Sequence, residues 1–198
     1  MALGGPHEPA LPCPSCGHSL VQLARFAASD DRLELPRALG SLAVLFCWRC
    51  EAAQGHFTYR LEQARVQFLR CLQGPVAEDF PYPNYPDSFP LVQVELEPLD
   101  EVAQARIHSL NRRDSGTSRP RRQRADSARP RHQIGGEPLL LQPIEPPRCP
   151  GCNEPMPFFA ALADDCGPTA RFTGNDFVQV LVFLCRGCGV VDVSQQTE

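Results

Sequence analysis

Val180-Leu181-Val182-Phe183-Leu184-Cys185-Arg186-Gly187-Cys188-Gly189-Val190-Val191-Asp192-Val193 is an apolar run that enters a C-x-x-C pair and leaves it as a second apolar run. Short apolar stretches bounded by turn residues read as buried strands. The same order occurs earlier, where Leu42-Ala43-Val44-Leu45-Phe46 leads into Cys47 and Cys50 and His56-Phe57-Thr58-Tyr59 follows. Each unit is preceded by a C-P-x-C knuckle, Cys13-Pro14-Ser15-Cys16 in the first and Cys149-Pro150-Gly151-Cys152 in the second, about 136 positions apart. Two C-x-x-C pairs supply four soft thiolates, the tetrahedral set that closes a structural zinc site. The expectation is two zinc ions, one on Cys13, Cys16, Cys47 and Cys50, the other on Cys149, Cys152, Cys185 and Cys188.

A redox dithiol or a disulfide is the competing reading of any one pair. A thioredoxin-type pair sits where a strand enters a helix, whose terminus lowers one thiol's pKa. Here the second pair of each copy lies between two strand-like runs, which favours metal. Cys71 and Cys166 fall outside both sets, and Cys71 reads as a small core residue. His18 and His56, close to the cysteines, are candidate substitute ligands, with lone surface histidines as the plainer reading.

The strands after the knuckles also correspond, Leu20 to Phe26 with Met156 to Leu162. So do the lead-ins, Leu3-Gly4-Gly5 and Ile134-Gly135-Gly136-Glu137-Pro138, whose glycine pairs allow turns at positive φ. Duplication accounts for all of this. The fold expected is α+β and β-rich, with duplicated zinc-ribbon-like antiparallel sheets, short helices and a disordered Arg-rich linker. The divisions are 1–110 for the N-terminal repeat, 111–132 for the linker and 133–198 for the C-terminal repeat. Each half is near the size at which a core alone does not hold a fold, whereas a zinc site adds about 10 kcal/mol. Metal is therefore expected to decide whether each half folds.

Within the first division, Leu61, Arg65, Phe68, Leu69 and Leu72 recur at helical spacing and predict a helix ended by Gly74-Pro75. Phe80 to Pro90 is too rich in proline for helix or central strand and reads as an extended aromatic loop. Tyr82, Tyr85 and Phe89 of this loop are the candidate partner-binding residues, with packing on the protein's own body as the alternative. Leu91 to Glu97 alternates as a strand, and Leu99 to Leu110 is amphipathic, with Asp100 and Glu101 at the start of a short helix.

All 19 basic side chains are arginine, and the formal net charge is −4. Arg112 to Arg131 holds eight arginines against Asp114 and Asp126, so the rest of the chain is strongly acidic. Such a surface repels nucleic acid outside the linker. The linker arginines are not interleaved with aromatics to stack on bases. No basic n-region and sustained apolar core is found in Met1 to Pro12, and no run has the length of a membrane span, so a soluble cytoplasmic protein is expected.

Gly135-Gly136-Glu137-Pro138, Gln142, Cys149-Pro150-Gly151-Cys152, Pro155-Met156, Phe158-Phe159 and the strand into Cys185 and Cys188 resemble the YwqG-like family of uncharacterised bacterial proteins, over residues 132 to 196. More distantly, duplicated G-G-x-P and C-x-x-C elements are similar to the programmed-cell-death-protein-2 family, whose members are dedicated chaperones for a small-subunit ribosomal protein. The chain departs from the first family at Leu140-Leu141, where a tryptophan is usual, at Ala161 in place of glutamine, and at Asn153 in place of glycine. The resemblance implies a bacterial protein and carries over only the zinc ligands.

A closed four-thiolate site offers no open coordination position. No H-E-x-x-H spacing, nucleophile elbow, P-loop or dinucleotide fingerprint occurs. The sequence thus points to a non-enzymatic protein-interaction module, a chaperone or adaptor, that binds a protein partner by strand addition or through the aromatic loop. Nucleic-acid binding through Arg112–Arg131 is the alternative, and a metal-dependent enzyme ranks third.

Overall fold

The apolar and alternating runs form antiparallel strands in the computed structural model, which describes residues 1–62, 65–73, 88–113, 132–138, 140, 143–163 and 178–197. The first repeat contributes β1 (Ala2–Leu3), β2 (Val21–Ala27), β3 (Ser41–Phe46), β4 (Phe57–Glu62), β5 (Arg65–Arg70) and β6 (Val92–Gln93), followed by helix α1 (Glu101–Arg113). The second contributes β7 (His132–Ile134), β8 (Phe158–Ala163), β9 (Val178–Cys185) and β10 (Val190–Thr197). β3 and β8 are almost wholly buried, which is why their sequences are nearly continuous apolar runs. β9 is buried likewise apart from its last residue and carries a single polar side chain, Gln179, whereas in β2 Arg25 and Ala27 are exposed.

The duplication is visible in the backbone. β1 pairs with β2 and β7 with β8, and each lead-in strand ends in two glycines at positive φ. At Gly4 this freedom is indispensable: φ is 65°, and a Cβ there would lie 2.3 Å from the Pro90 carbonyl oxygen. Likewise β2 pairs with β3 and β8 with β9.

The fourth strands break the symmetry. β9 and β10 are joined by the tight turn at residues 186–189 and pair along their whole length. Residues 47–56, including a 3-10 turn at Glu51–Gln54, separate β3 from β4, and β4 leaves β3 to pair antiparallel with β10 of the other repeat. The sheets therefore run β3-β2-β1-β6 and β5-β4-β10-β9-β8-β7. They bury one continuous core that mixes both repeats, with Phe26 of β2 edge-on to Phe159 of β8 at 5.1 Å. The halves thus share the apolar burial that each would lack alone.

Residues 65–70 are a strand, not the helix that the apolar spacing from Leu61 to Leu72 suggests. Val66 and Phe68 turn inward while Arg65 and Gln67 turn outward, and Phe68 packs on Phe57 with centroids 5.7 Å apart. That period-two face completes a sheet, and tertiary burial overrides the helical pattern. Leu91 to Glu97 does alternate in burial, although only Val92–Gln93 joins the ladder, extended by a bond from Val94 N–H to Met1 O. Helix α1 forms as expected, with the Ala103 N–H donating to the Asp100 carboxylate at its start. It runs through Arg113, and His132 opens β7, so the ends of the stretch read as linker are regular structure. Residues 114–131 lie outside the described residues.

Candidate metal centres

Antiparallel pairing brings the two cysteine pairs of each repeat to one end of a hairpin. Val21 faces Phe46, so Cys16 and Cys47 lie just beyond the same edge. Phe158 faces Phe183, and Leu184 N–H bonds to Pro157 O, which aligns Cys152 and Cys185. The knuckles repeat bond for bond. Cys13 N–H donates to His18 O and Gly17 N–H to Cys13 O, while Cys149 N–H donates to Glu154 O and Asn153 N–H to Cys149 O. Gly17 and Asn153 occupy the same left-handed position, at φ 76° and 63°. Asparagine tolerates that region better than other side chains, so the exchange of glycine for Asn153 keeps the knuckle intact.

The sulfurs of Cys13, Cys16, Cys47 and Cys50 all lie within 4.8 Å of one another, as do those of Cys149, Cys152, Cys185 and Cys188. Within the first set Cys13–Cys50 is 3.8 Å, Cys16–Cys47 3.7 Å and Cys47–Cys50 3.7 Å; within the second Cys152–Cys185 is 3.8 Å. These are not disulfides, whose sulfurs bond at about 2.05 Å. A tetrahedron with metal–sulfur bonds of about 2.3 Å has edges of about 3.8 Å, so the donor sets fit a four-coordinate ion. Each cluster can hold one metal ion.

The thiols within each set are not equivalent. The hydrogen bond with Cys47 brings Cys13 down to about 5, against the opposing effect of burial. Burial pushes Cys149 up, but hydrogen bonds from the backbone N–H groups of Cys152 and Gly151 and from the Cys185 and Cys152 thiols together outweigh it and leave the thiol at about 7. The neighbouring sulfurs are pushed the other way: burial raises Cys16 to about 11 and lifts Cys185, and hydrogen bonds with Cys13 and Cys185 raise Cys47 and Cys188. Without metal each set thus holds one comparatively acidic sulfur among neighbours that keep their protons. The centres differ in surroundings: Cys13, Cys47 and Cys50 are buried, whereas in the second set only Cys149 is, and Cys152 is exposed.

His18 is exposed beside Arg49 and belongs to neither cluster. His56 instead donates from Nδ1 to Asp192 Oδ1 at 2.6 Å, and Thr58 Oγ1 donates to Asp192 Oδ2 at 2.6 Å. Asp192 is 1 % exposed and is thus held across the β4–β10 seam by two residues of the other repeat. A lone carboxylate inside Val190-Val191-Asp192-Val193 was the available sequence signal, since a buried charge requires a partner. Cys71 packs at the edge of the core, outside both clusters, and burial raises its thiol. Cys166 lies outside the described residues.

Of the loop residues, Tyr82 and Tyr85 lie outside the described residues. Phe89 is 3 % exposed, and its carbonyl accepts from Gly5 N–H. It is part of the core and offers no ring to a partner.

A cavity of about 1190 Å³ opens between residues 94–100, helix α1 and the lead-in to β8. Its apolar lining includes Val94, Leu96, Leu99 and Ile134, with the exposed carboxylates of Glu95 and Glu97 beside them. Among the described residues no helix is long and apolar enough to cross a membrane. No family model, curated protein or solved structure matches this chain.

Proposed function

We propose that this chain is a non-catalytic, zinc-stapled protein-interaction module, in the manner of a chaperone or adaptor. The observation that carries the metal reading is the pair of four-sulfur sets, each with all its sulfurs within 4.8 Å of one another and with contacts of 3.7 to 3.8 Å among them. Zinc is the ion that tetrahedral thiolate sets favour in structural sites, and four sulfurs leave it no position for substrate or water. The role of the metal is then to fix the knuckles.

The interaction reading is supported by the cavity beside α1. Its volume exceeds the roughly 300–1,000 Å³ of ordinary small-molecule pockets. Four carboxylates, Glu95, Glu97, Asp100 and Glu137, line it beside the basic Arg32 and the Met1 ammonium. That balance favours a basic segment over phosphate and is in keeping with the acidic balance of the chain outside Arg112–Arg131.

Metal analysis of the full chain purified without chelator is expected to give two zinc equivalents, and Cys185→Ser one. Partners captured from native cytoplasm are expected to remain bound after nuclease treatment. A chain with reactive thiols and no metal refutes the zinc assignment. Partners lost to nuclease refute the protein-binding assignment in favour of nucleic acid held through Arg112–Arg131.

A further inference from the structure

The second thiolate centre is flanked by residues of the first repeat. Arg60 of β4 stands opposite Val190, two positions from Cys188, and the next residue, Leu61, donates its N–H to Gly189 O at 2.9 Å. A Cβ on Gly189 would lie 3.0 Å from Leu61 O, so the two backbones meet there as closely as glycine permits. Arg186, between the two ligands Cys185 and Cys188, donates from Nε to Glu34 O at 3.0 Å, in the loop between β2 and β3.

The other knuckle of the centre meets the same strand. A Cβ on Gly151 would be 3.1 Å from Cys188 Sγ and 3.3 Å from Arg60 Nη2, so the guanidinium and the ligand sulfur close on one glycine. Arg60 is only 30 % exposed, its Nε is buried with no hydrogen-bond partner among the described residues, and its ion pair with Glu62 is a long 3.6 Å. A permanently charged group that is partly desolvated and so weakly paired is stabilised by a nearby anion. Four thiolates around a divalent cation carry a formal −2, and this centre is the more exposed of the two.

On the basis of the zinc reading above, we propose that Arg60 is a positioning residue for the second centre: its guanidinium balances the charge of the loaded Cys149, Cys152, Cys185 and Cys188 set. Metal retention at that centre thereby depends on the docking of β4 against β10, and metal loading in one repeat reports on the other.

The test uses the zinc-loaded full chain, its Arg60→Gln and Arg60→Lys variants, and a colorimetric chelator, with alkylated cysteines mapped by mass spectrometry. Arg60→Gln is expected to release one of the two zinc equivalents on the order of 10-fold faster, with alkylation confined to the second set, as for other residues that support metal ligands. Arg60→Lys is expected to stay near the wild-type rate. Rising salt should speed that release in the wild type and not in Arg60→Gln, a dependence that loss of packing alone does not produce. If Arg60→Gln does not fold, the Lys variant and the salt dependence of the wild type decide. Two zinc equivalents with release unaffected by Arg60→Gln, equal acceleration by Gln and Lys, or release in the wild type independent of salt overturns this inference alone. A wild-type chain without zinc overturns the zinc reading as well.

Discussion

The Tyr59 hydroxyl fills the gap left when β4 moves away from β3. It accepts from Leu45 N–H at 3.0 Å and donates to Ala43 O at 2.7 Å, two groups on the edge of β3 that a neighbouring strand would otherwise satisfy. The ring is fully buried, and burial pushes the phenol well above its ordinary pKa, so it remains a neutral donor and acceptor. Tyr59→Phe preserves the packing with Phe57 but leaves a buried amide and carbonyl unpaired, which costs about 1–3 kcal/mol. The expected result is a lower denaturant midpoint with both metal equivalents retained. An unchanged midpoint would mean that β3 finds other partners for these groups.

At the scale of elements, the seam between β4 and β10 contains a titratable latch. Asp192 is buried and can only accept as a carboxylate, so both His56 and Thr58 donate to it. The hydrogen bond to Asp192 raises His56 above 6.5, against burial and the nearby Arg70. The folded pKa is thus higher than the unfolded one. The stabilisation is complete below pH 6.5 and is lost as pH rises through the raised value. His56 is 36 % exposed, so solvent screening keeps the effect small. Measured between pH 6 and 9, wild-type stability should fall relative to that of His56→Gln, and parallel curves would show that His56 does not titrate against Asp192.

This seam also marks the boundary between what sequence revealed and what it did not. Cys185, Cys188 and the runs around them announce strand, turn and ligand set within one short stretch, because knuckle geometry is local. The choice of β10 over β3 as the partner of β4 is non-local, and nothing in Phe57 to Glu62 encodes it. The stretch from Leu61 to Leu72 satisfies a helical period as well as a strand's alternation, so only the waiting edge of β4 decides between them. Arg60 and Tyr59 acquire their roles from that pairing and were illegible for the same reason.

At the scale of the whole molecule, the shared core changes what metal is expected to do. Phe26, Leu42, Val44, Phe46, Phe159, Val180 and Val182 belong to one buried cluster that spans both sheets. Neither repeat is left to hold its fold with thiolates alone. The knuckles are different: Pro12 with Ser19 and Arg148 with Pro155 are single bridges outside any ladder, beyond the ends of the strands. Strong chelation should therefore abolish amide protection at Cys13, Gly17, Cys149 and Asn153, while Val180, Val182 and Leu184 in the centre of the larger sheet stay protected. Hydrogen exchange with and without chelator checks this. Loss of protection throughout β9 on metal removal would mean that the thiolate centres, rather than the core joined by β4 and β10, hold the two repeats folded.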